Sequence, residues 1–299
     1  MKLPLLATLT VALLSSLSSL SARAEVVVKD DTGATVRIKE PARRIVALAP
    51  HIAESLYAAG GGERLVGTVD YSDYPPEAKK VPRVGGYSRV DLEAVAALKP
   101  DLVLAWQSGN NMPQIEKLKA LGLTVHVSQP NRMEEVASQL EKLGQLAGSE
   151  RIAQQAADTF RKRLESLRAA NAHKPKVRVF YQIWKTPLMT VGGPQIISDA
   201  IRLCGGDNVF GQLKQMAPTV SVEAVLETDP EAIIATGMGD ARPEWLSDWD
   251  KWTRMTAVKR GNLFHINPDI MQRHTPRILD GAEKLCAHLD VARSRRPQK

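Results

Sequence analysis

Flat aromatic side chains stand at four places in this sequence where an apolar run has just ended or a glycine turn begins. Tyr71 follows the run 65–69, Trp106 follows 102–105, Trp184 follows 177–181, and Tyr87 sits on the Gly85-Gly86 loop. With only 5 Trp, 5 Tyr and 4 Phe among 299 residues, this placement uses a large part of a small supply. Phenol and indole each offer a broad apolar face with one polar tip. Several of them around one hollow would suit a large, rigid, partly apolar ring system better than a sugar or an ion. Other candidates stand at the neighbouring run ends: Pro50 and His51 follow 45–48, Gln129 follows 124–127, and Asp269 follows 263–266. Tyr74, next to Pro75, reads as ligand contact or as local packing.

The remaining reactive residues form no catalytic pattern. The 6 His show no His-x-His or His-Glu-x-x-His spacing, so no metal site is expected. A Gly-x-Ser-x-Gly elbow, a phosphate loop and a Cys–His nucleophile pair are all missing. We therefore assign no catalytic residue and no resident cofactor, and expect binding without chemistry. His51 stands where it can reach the hollow; His274, before Thr275-Pro276, reads as a helix start, and the other histidines as surface. Trp245, Trp249 and Trp252 fall at helical spacing and read as the core side of a helix over 245–253.

Two acids form a separate constellation. Glu93 and Glu223 each open a short helix, 130 positions apart. One reading is local: an acid in the first turn complements the helix dipole. The other is a pair of negative knobs, one per half of the chain, on a shared outer face. A two-fold symmetric partner with arginine pockets would need that arrangement.

These residues need elements to hold them. The first, at 26–38, reads as a hairpin with a polar glycine turn. Buried strands at 45–48, 65–69, 102–105 and 124–127 then alternate with helices, which is an open, largely parallel sheet. Ligands of such sheets bind beyond the carboxyl ends of the strands, where the aromatic loops lie. A second series follows, with strands at 177–181, 233–235 and 263–266 and helices at 195–203, 245–253 and 275–291. The halves resemble each other. Val90, Glu93, Ala94, Val95, Pro100 and Ala105 match Val220, Glu223, Ala224, Val225, Pro230 and Ala235 at a constant offset of 130. A second match sets 62–67 against 206–211.

Between the halves, 149–172 reads as one helix. Ser149 offers an N-cap hydroxyl, and Ile152, Ala156, Phe160, Leu164 and Leu167 form one apolar stripe. At about 1.5 Å per residue this rod spans roughly 35 Å. No Pro or Gly interrupts it, so it should resist bending and permit only modest lobe closure. The expected division is a leader over 1–24, a first lobe over 25–148, the interlobe helix over 149–173 and a second lobe over 174–299.

The ends and the composition set the compartment. Met1-Lys2, an apolar run and Ala22-Arg23-Ala24 read as a secretory leader cleaved after Ala24, which places the mature chain in the periplasm. The formal net charge of +7 falls to +5 once Lys2 and Arg23 leave. Much of that surplus sits in the tail 293–299, read as a solvated terminus and not as a nucleic-acid arm. Cys204 and Cys286 are the only cysteines; in an oxidising compartment they form a bridge or stay as two buried thiols.

The segments Tyr71-Ser-Asp-Tyr-Pro-Pro76, Leu98-Lys-Pro-Asp-Leu-Val-Leu-Ala-Trp106 with Gly109-Asn110, Cys204-Gly-Gly-Asp-Asn-Val-Phe210, Val220-Ser-Val-Glu223 and Arg273-His-Thr-Pro-Arg277 resemble the cobalamin-binding periplasmic proteins of ABC importers. The likeness spans nearly the whole mature chain. The Leu-Lys-Pro-Asp strand is shared with siderophore and haem receptors of the same class; the Tyr-Ser-Asp-Tyr-Pro-Pro and Trp-x-x-Gly-Asn loops are more specific. The resemblance implies an α/β fold of two Rossmann-like lobes, each with a central, mostly parallel sheet, joined by one long α-helix. It implies a monomer that takes cobalamin as cargo between Pro50, Tyr71, Tyr87, Trp106 and Trp184 on one side and Asp269 to Arg273 on the other. It further implies that Glu93 and Glu223 dock on an inner-membrane permease dimer and that Cys204 and Cys286 are bridged. The sequence departs from that pattern at Ala217, where a tryptophan is expected, at Ile270, where an aromatic is, and at Tyr87, where a tryptophan is usual. A less aromatic second lobe leaves room for another corrinoid or for haem, with Tyr71 or Tyr87 as axial ligand.

Overall fold

The computed structural model describes residues 25–237, 239 and 241–297; the expected leader and its cleavage site lie outside the described residues. The chain opens with the expected hairpin, β1 (Val26–Lys29) antiparallel to β2 (Thr35–Ile38). β3 (Ile45–Ala47) then leads into α1 (Pro50–Ala58), and β4 (Leu65–Thr68) leads into a two-stranded ribbon, β5 (Gly85–Gly86) and β6 (Arg89–Val90), and α2 (Leu92–Ala97). β7 (Leu102–Trp106) is followed by α3 (Met112–Ala120), and β8 (Val125–Ser128) by α4 (Met133–Ala147). The four main strands lie in the order β4-β3-β7-β8 and all run parallel.

After α5 (Glu150–Asn171) a second sheet forms around β9 (Val177–Trp184). It gathers β10 (Met189–Thr190), then, after α6 (Ile196–Leu203), β11 (Gly206–Asn208), then, after α7 (Val222–Thr228), β12 (Ala232–Ala235). Beyond α8 (Thr256–Lys259), β13 (Leu263–His265) completes it before the closing helix α9 (Ile278–Ser294). β11, β12 and β13 run parallel to the sheet direction, and β10 is antiparallel against the end of β9.

Side-chain alternation along the strands divides the interior into three regions. Ile45, Ala47, Leu102 and Leu104 face one way, and Val46, Leu48, Val103 and Ala105 the other. In the second sheet Val177, Val179, Tyr181, Ala232 and Ile234 face the same region as Ile45, while Phe180, Ile233 and Ala235 face a third. One core therefore runs from lobe to lobe, through Ala153, Ala157, Phe160 and Leu164 of α5. α5 packs on α1 and α4 of the first lobe and on α6 and α9 of the second.

The buried stripe of α5 is one position off the expected one at its N-terminal end. Ile152 is 44% exposed, and Ala153 and Ala157 are buried instead. Close packing is the reason. A Cβ on Gly144 of α4 would lie 2.2 Å from the Ala153 Cβ, so the crossing admits only small side chains. Ser149 does not cap the helix either. Its hydroxyl donates to the Ala59 carbonyl (2.7 Å), which ties the start of α5 to the end of α1.

The offset of 130 marks a repeated structural unit. Asp91 caps α2 by accepting from Ala94 N, and Ser221 caps α7 by accepting from Ala224 N. Both helices end on a left-handed residue before the proline, Lys99 (φ 45°) and Asp229 (φ 40°), and each unit then enters a central strand. The second match does not mark one: 62–64 is a turn entering β4, whereas 206–208 is itself β11.

Three further expectations are corrected. The stretch 245–253 is not one helix. A 3₁₀ segment, Glu244–Trp249, gives way to turns in which Trp252 N and Met255 N bond three residues back. These tight turns wrap Trp249, whose indole N–H donates to Gln182 Oε1 (2.8 Å). His126 is buried, not a surface residue. The tail is pinned as far as Arg296, which pairs with Glu231, while Arg293 donates to the carbonyls of Pro175, Cys204 and Gly205. Of the two options for the cysteines, the structure has the bridge: Cys204 at the end of α6 is bonded to Cys286 of α9, closing a separation of 82 residues.

Candidate functional site

The carboxyl ends of β3, β4 and β7 bring Pro50, His51, Tyr71 and Trp106 to one edge of the first lobe. Pro50 is the first residue of α1, where its fixed φ and missing N–H are tolerated. His51, next in the helix, is 4% exposed and packs edge-on against the Trp106 indole at 4.9 Å between ring centroids. Tyr87, at the tip of the β5–β6 ribbon, completes the group, 5.8 Å from Trp106.

Asn110 positions both of these rings. Its amide nitrogen donates to the carbonyls of Leu48 (2.8 Å) and Tyr87 (2.7 Å), and its oxygen accepts from Trp106 N (2.6 Å). Gly109 lets the indole lie against the loop, since a Cβ there would fall 1.8 Å from the ring. Tyr71 is presented by strain. It has φ 62°, a left-handed backbone costing on the order of 1 kcal/mol for such a residue, and its side chain is 70% exposed. Arg83, donating to Ser72 O, and Thr68, donating to Ser72 Oγ, hold that loop.

The second lobe meets this edge with 267–277. Arg273 donates to Asp73 Oδ1 (2.7 Å) and to the Tyr71 carbonyl (3.3 Å) of the first lobe, and pairs with Asp269 (2.9 Å) in its own. Arg277 reaches farther and binds Glu54 of α1 with two nitrogens, at 2.7 and 2.6 Å, while its guanidinium lies 3.7 Å over the Tyr74 ring. Glu54 is only 2% exposed and also lies 3.8 Å from Arg273. Burial alone would raise the Asp73 carboxyl, but the hydrogen bond and charge of Arg273 bring its pKa below the ordinary value. His274 closes the base of the seam, 5.2 Å from His51 and 6.1 Å from Trp106 between centroids. Burial lowers the His274 pKa to about 4. Burial, with His274 and Arg273 nearby, also holds His51 well below its ordinary value. Both imidazoles are therefore neutral at pH 7.

The seam thus has a closed, polar base and an aromatic rim, with Tyr71, Tyr74 (42% exposed) and Tyr87 (41% exposed) open to solvent. Trp184, also 42% exposed, stands at the end of β9, outside the ring group of His51, Tyr87, Trp106 and His274. Gln272 donates to Thr236 Oγ1 (2.6 Å) within the second lobe. Met271 does not join the rim, being fully buried, and Ile270 is half-buried and packs on the shared core. Gly281 of α9 admits this close approach, since a Cβ there would meet the Ile270 carbonyl oxygen at 2.3 Å and Met271 Sδ at 2.9 Å. Glu93 and Glu223 are both exposed, each in the first turn of its helix. Backbone and Ser221 hydrogen bonds lower the pKa of Glu223. Among the described residues no group of three or more His, Cys, Asp or Glu could hold a metal ion.

Residue-by-residue reading of the sequence missed Glu54, Asp73, Asn110 and Arg277 as individual actors. Glu54 carried a signal: it is the one acid in the apolar stretch 45–59.

The chain is 37% identical to the vitamin B12-binding protein of Vibrio cholerae over 252 residues, which is 84% of this chain and 91% of that protein. The crystal structure of the periplasmic vitamin B12 binding protein BtuF of Vibrio cholerae matches with a TM-score of 0.79 at 36% identity, covering 85% of this chain and 98% of that one. A periplasmic heme binding protein from Pseudomonas aeruginosa matches with a TM-score of 0.73 at 26% identity, over 86% and 95% of the two chains. The pattern of the periplasmic binding protein family covers residues 45–270, and with two α/β lobes on one long helix and relatives this similar, the chain belongs to that family.

Proposed function

We propose that this protein captures cobalamin between the rims of its two lobes and delivers it, chemically unchanged, to an ABC importer. The carrying observation is the aromatic rim, with Tyr87 and Trp106 held together by Asn110 and Tyr71 thrust into solvent, facing a second lobe that closes on it through Arg273 and Arg277. A corrin is a broad, rigid disc with an apolar face, which such rings can stack on. The similarity to proteins named for vitamin B12 binding supports the same reading. Trp184, Asp269, Ile270, Gln272 and Arg273 would meet the disc from the second lobe, while the fully buried Met271 would not. A periplasmic location, a leader cleaved after Ala24, a monomeric free state and the absence of catalysis belong to the proposal.

Glu93 and Glu223 would be the docking points for the permease. Both are exposed, and both sit at the same place in the repeated unit, as a two-fold partner requires.

Haem is the second reading, favoured by the exposed phenols of Tyr71 and Tyr87 and by the likeness to a heme binding protein. Titration calorimetry with cyanocobalamin and, separately, with haem decides between them. The cobalamin reading expects saturable one-to-one heat with cyanocobalamin at micromolar protein. No heat with cyanocobalamin, together with a haem Soret shift that Tyr71→Phe or Tyr87→Phe abolishes, would overturn it.

A further inference from the structure

The base of the seam holds an unusual set of polar atoms. His51 Nε2, Ser55 Oγ, Trp106 Nε1 and His274 Nδ1 are all buried and all lack a hydrogen-bond partner. The rings that carry three of them form one cluster, with His51, Trp106 and His274 within 4.9–6.1 Å of one another between centroids. His51 and His274 are 4% and 1% exposed. The three rings come from both lobes, with His274 of the second packed against His51 and Trp106 of the first. A buried polar group left unpartnered is destabilising. Three such rings in one cluster made by both lobes, with Ser55 one turn beyond His51 on α1, are what a site for a polar ligand group looks like when the lobes rest against each other.

The charges next to the cluster are already committed. Arg273 is held by Asp73, Asp269 and Glu54, and Arg277 by Glu54. No guanidinium is left there to receive a carboxylate, and the imidazoles are neutral. What remains is an indole N–H donor, two imidazole nitrogens that donate or accept by tautomer, and one hydroxyl. A primary carboxamide matches that set, with an oxygen for the indole N–H and two N–H donors for an imidazole nitrogen and the hydroxyl. A carboxylate could accept from the same donors, but it would be buried as a charge with no free cation beside it.

We propose that His51 and His274, with Trp106 Nε1, form a socket built from both lobes for one uncharged carboxamide arm of the bound macrocycle, and that this socket selects amide-bearing corrinoids over carboxylate-bearing rings. The inference rests on the cobalamin reading and deepens it.

The test is calorimetry on the full mature protein at pH 7.5 with cyanocobalamin and with its purified monocarboxylic acids, in each of which one peripheral amide is hydrolysed. The wild type should bind cyanocobalamin, and at least one monocarboxylate should bind about tenfold or more weakly. In the double variant His51→Leu/His274→Leu that gap should shrink severalfold, while His51→Gln/His274→Gln, which keeps polar atoms there, should retain more of it. Equal binding of cyanocobalamin and every monocarboxylate by the wild type would overturn the socket while leaving the cobalamin reading intact. So would a gap of undiminished size in the leucine variant, the result expected if waters fill the cluster. Failure of the wild type to bind cyanocobalamin would instead remove the reading beneath it. Because the wild-type comparison varies the ligand, the test survives a variant that fails to fold.

Discussion

Glu54 carries the contact between the lobes. A carboxylate at 2% exposure loses most of its hydration, and the loss is offset by Arg277, which grips it with two nitrogens, and by Arg273 at 3.8 Å. Removing one partner of such a pair leaves the other desolvated and unpaired. Glu54→Ala should therefore lower the stability of the unliganded protein by about 3 kcal/mol, read as a shift in the midpoint of urea denaturation. A shift below about 1 kcal/mol would mean that Arg277 finds another partner. His126 supports a prediction in pH. Its ring is 1% exposed and its pKa is lowered by burial to about 4 from 6.5, with Asp31 and Asp30 opposing the shift only in part. The unfolded chain then binds a proton that the native state refuses between those values, so this contribution to stability is complete above about pH 6.5 and is lost as pH falls toward 4. The full difference is on the order of 3 kcal/mol. Melting temperatures of wild type and His126→Leu, measured from pH 7 to 4, should fall more steeply for the wild type; parallel curves would contradict it. At this scale the sequence was legible where a residue announces itself by type and place. Tyr71 and Trp106 stand at the seam beside the strand ends that pointed to them, Tyr87 stands there on its glycine loop, and Arg273, singled out by the resemblance alone, joins them. Met271 was not legible, because whether a residue of a short turn faces the cleft or α9 is decided by the glycine across from it.

At the scale of elements, the crossing of α4 and α5 governs how the first lobe sits on the rod. Gly144 and Ala153 touch there, and a methyl on Gly144 has no room. Helix propensity favours Gly144→Ala by about 1 kcal/mol in an exposed helix. Here the steric term should win, and the variant should be less stable by about 1–3 kcal/mol in chemical denaturation. A stabilised variant would show that the helices can separate freely at this point. The rod itself was readable from the 3.6-residue period and the lack of breakers. Its exact buried face was not, since Ile152 and Ala153 both fit an apolar stripe and only packing against α4 chooses between them. The repeated helix–proline–strand unit was legible because it recurs with caps and turn residues in the same places. The stretch around Trp249 was misread because a spacing of four then three fits a helix as well as it fits consecutive tight turns.

For the whole molecule, the shared core limits motion. Apolar side chains run without a break from Val28 through Phe160 to Leu289, so a wide hinge opening would expose part of that core to water. The lobes should part modestly at the rim while α5 stays intact. Delivery would then depend on a partner that pulls on both lobes from outside, which is the role given to Glu93 and Glu223. Replacing both by Ala should leave the affinity for cyanocobalamin unchanged within about twofold, because neither touches the seam, yet abolish most uptake in cells or transport into vesicles carrying the importer. Loss of affinity and transport together would contradict that division. The most direct measurement is hydrogen–deuterium exchange of the protein with and without saturating cyanocobalamin. Slowed exchange is expected at once in 71–74, 85–90 and 106–110 of the first lobe and in 267–275 of the second. Protection confined to one lobe, or none in either, would contradict a single ligand held between both.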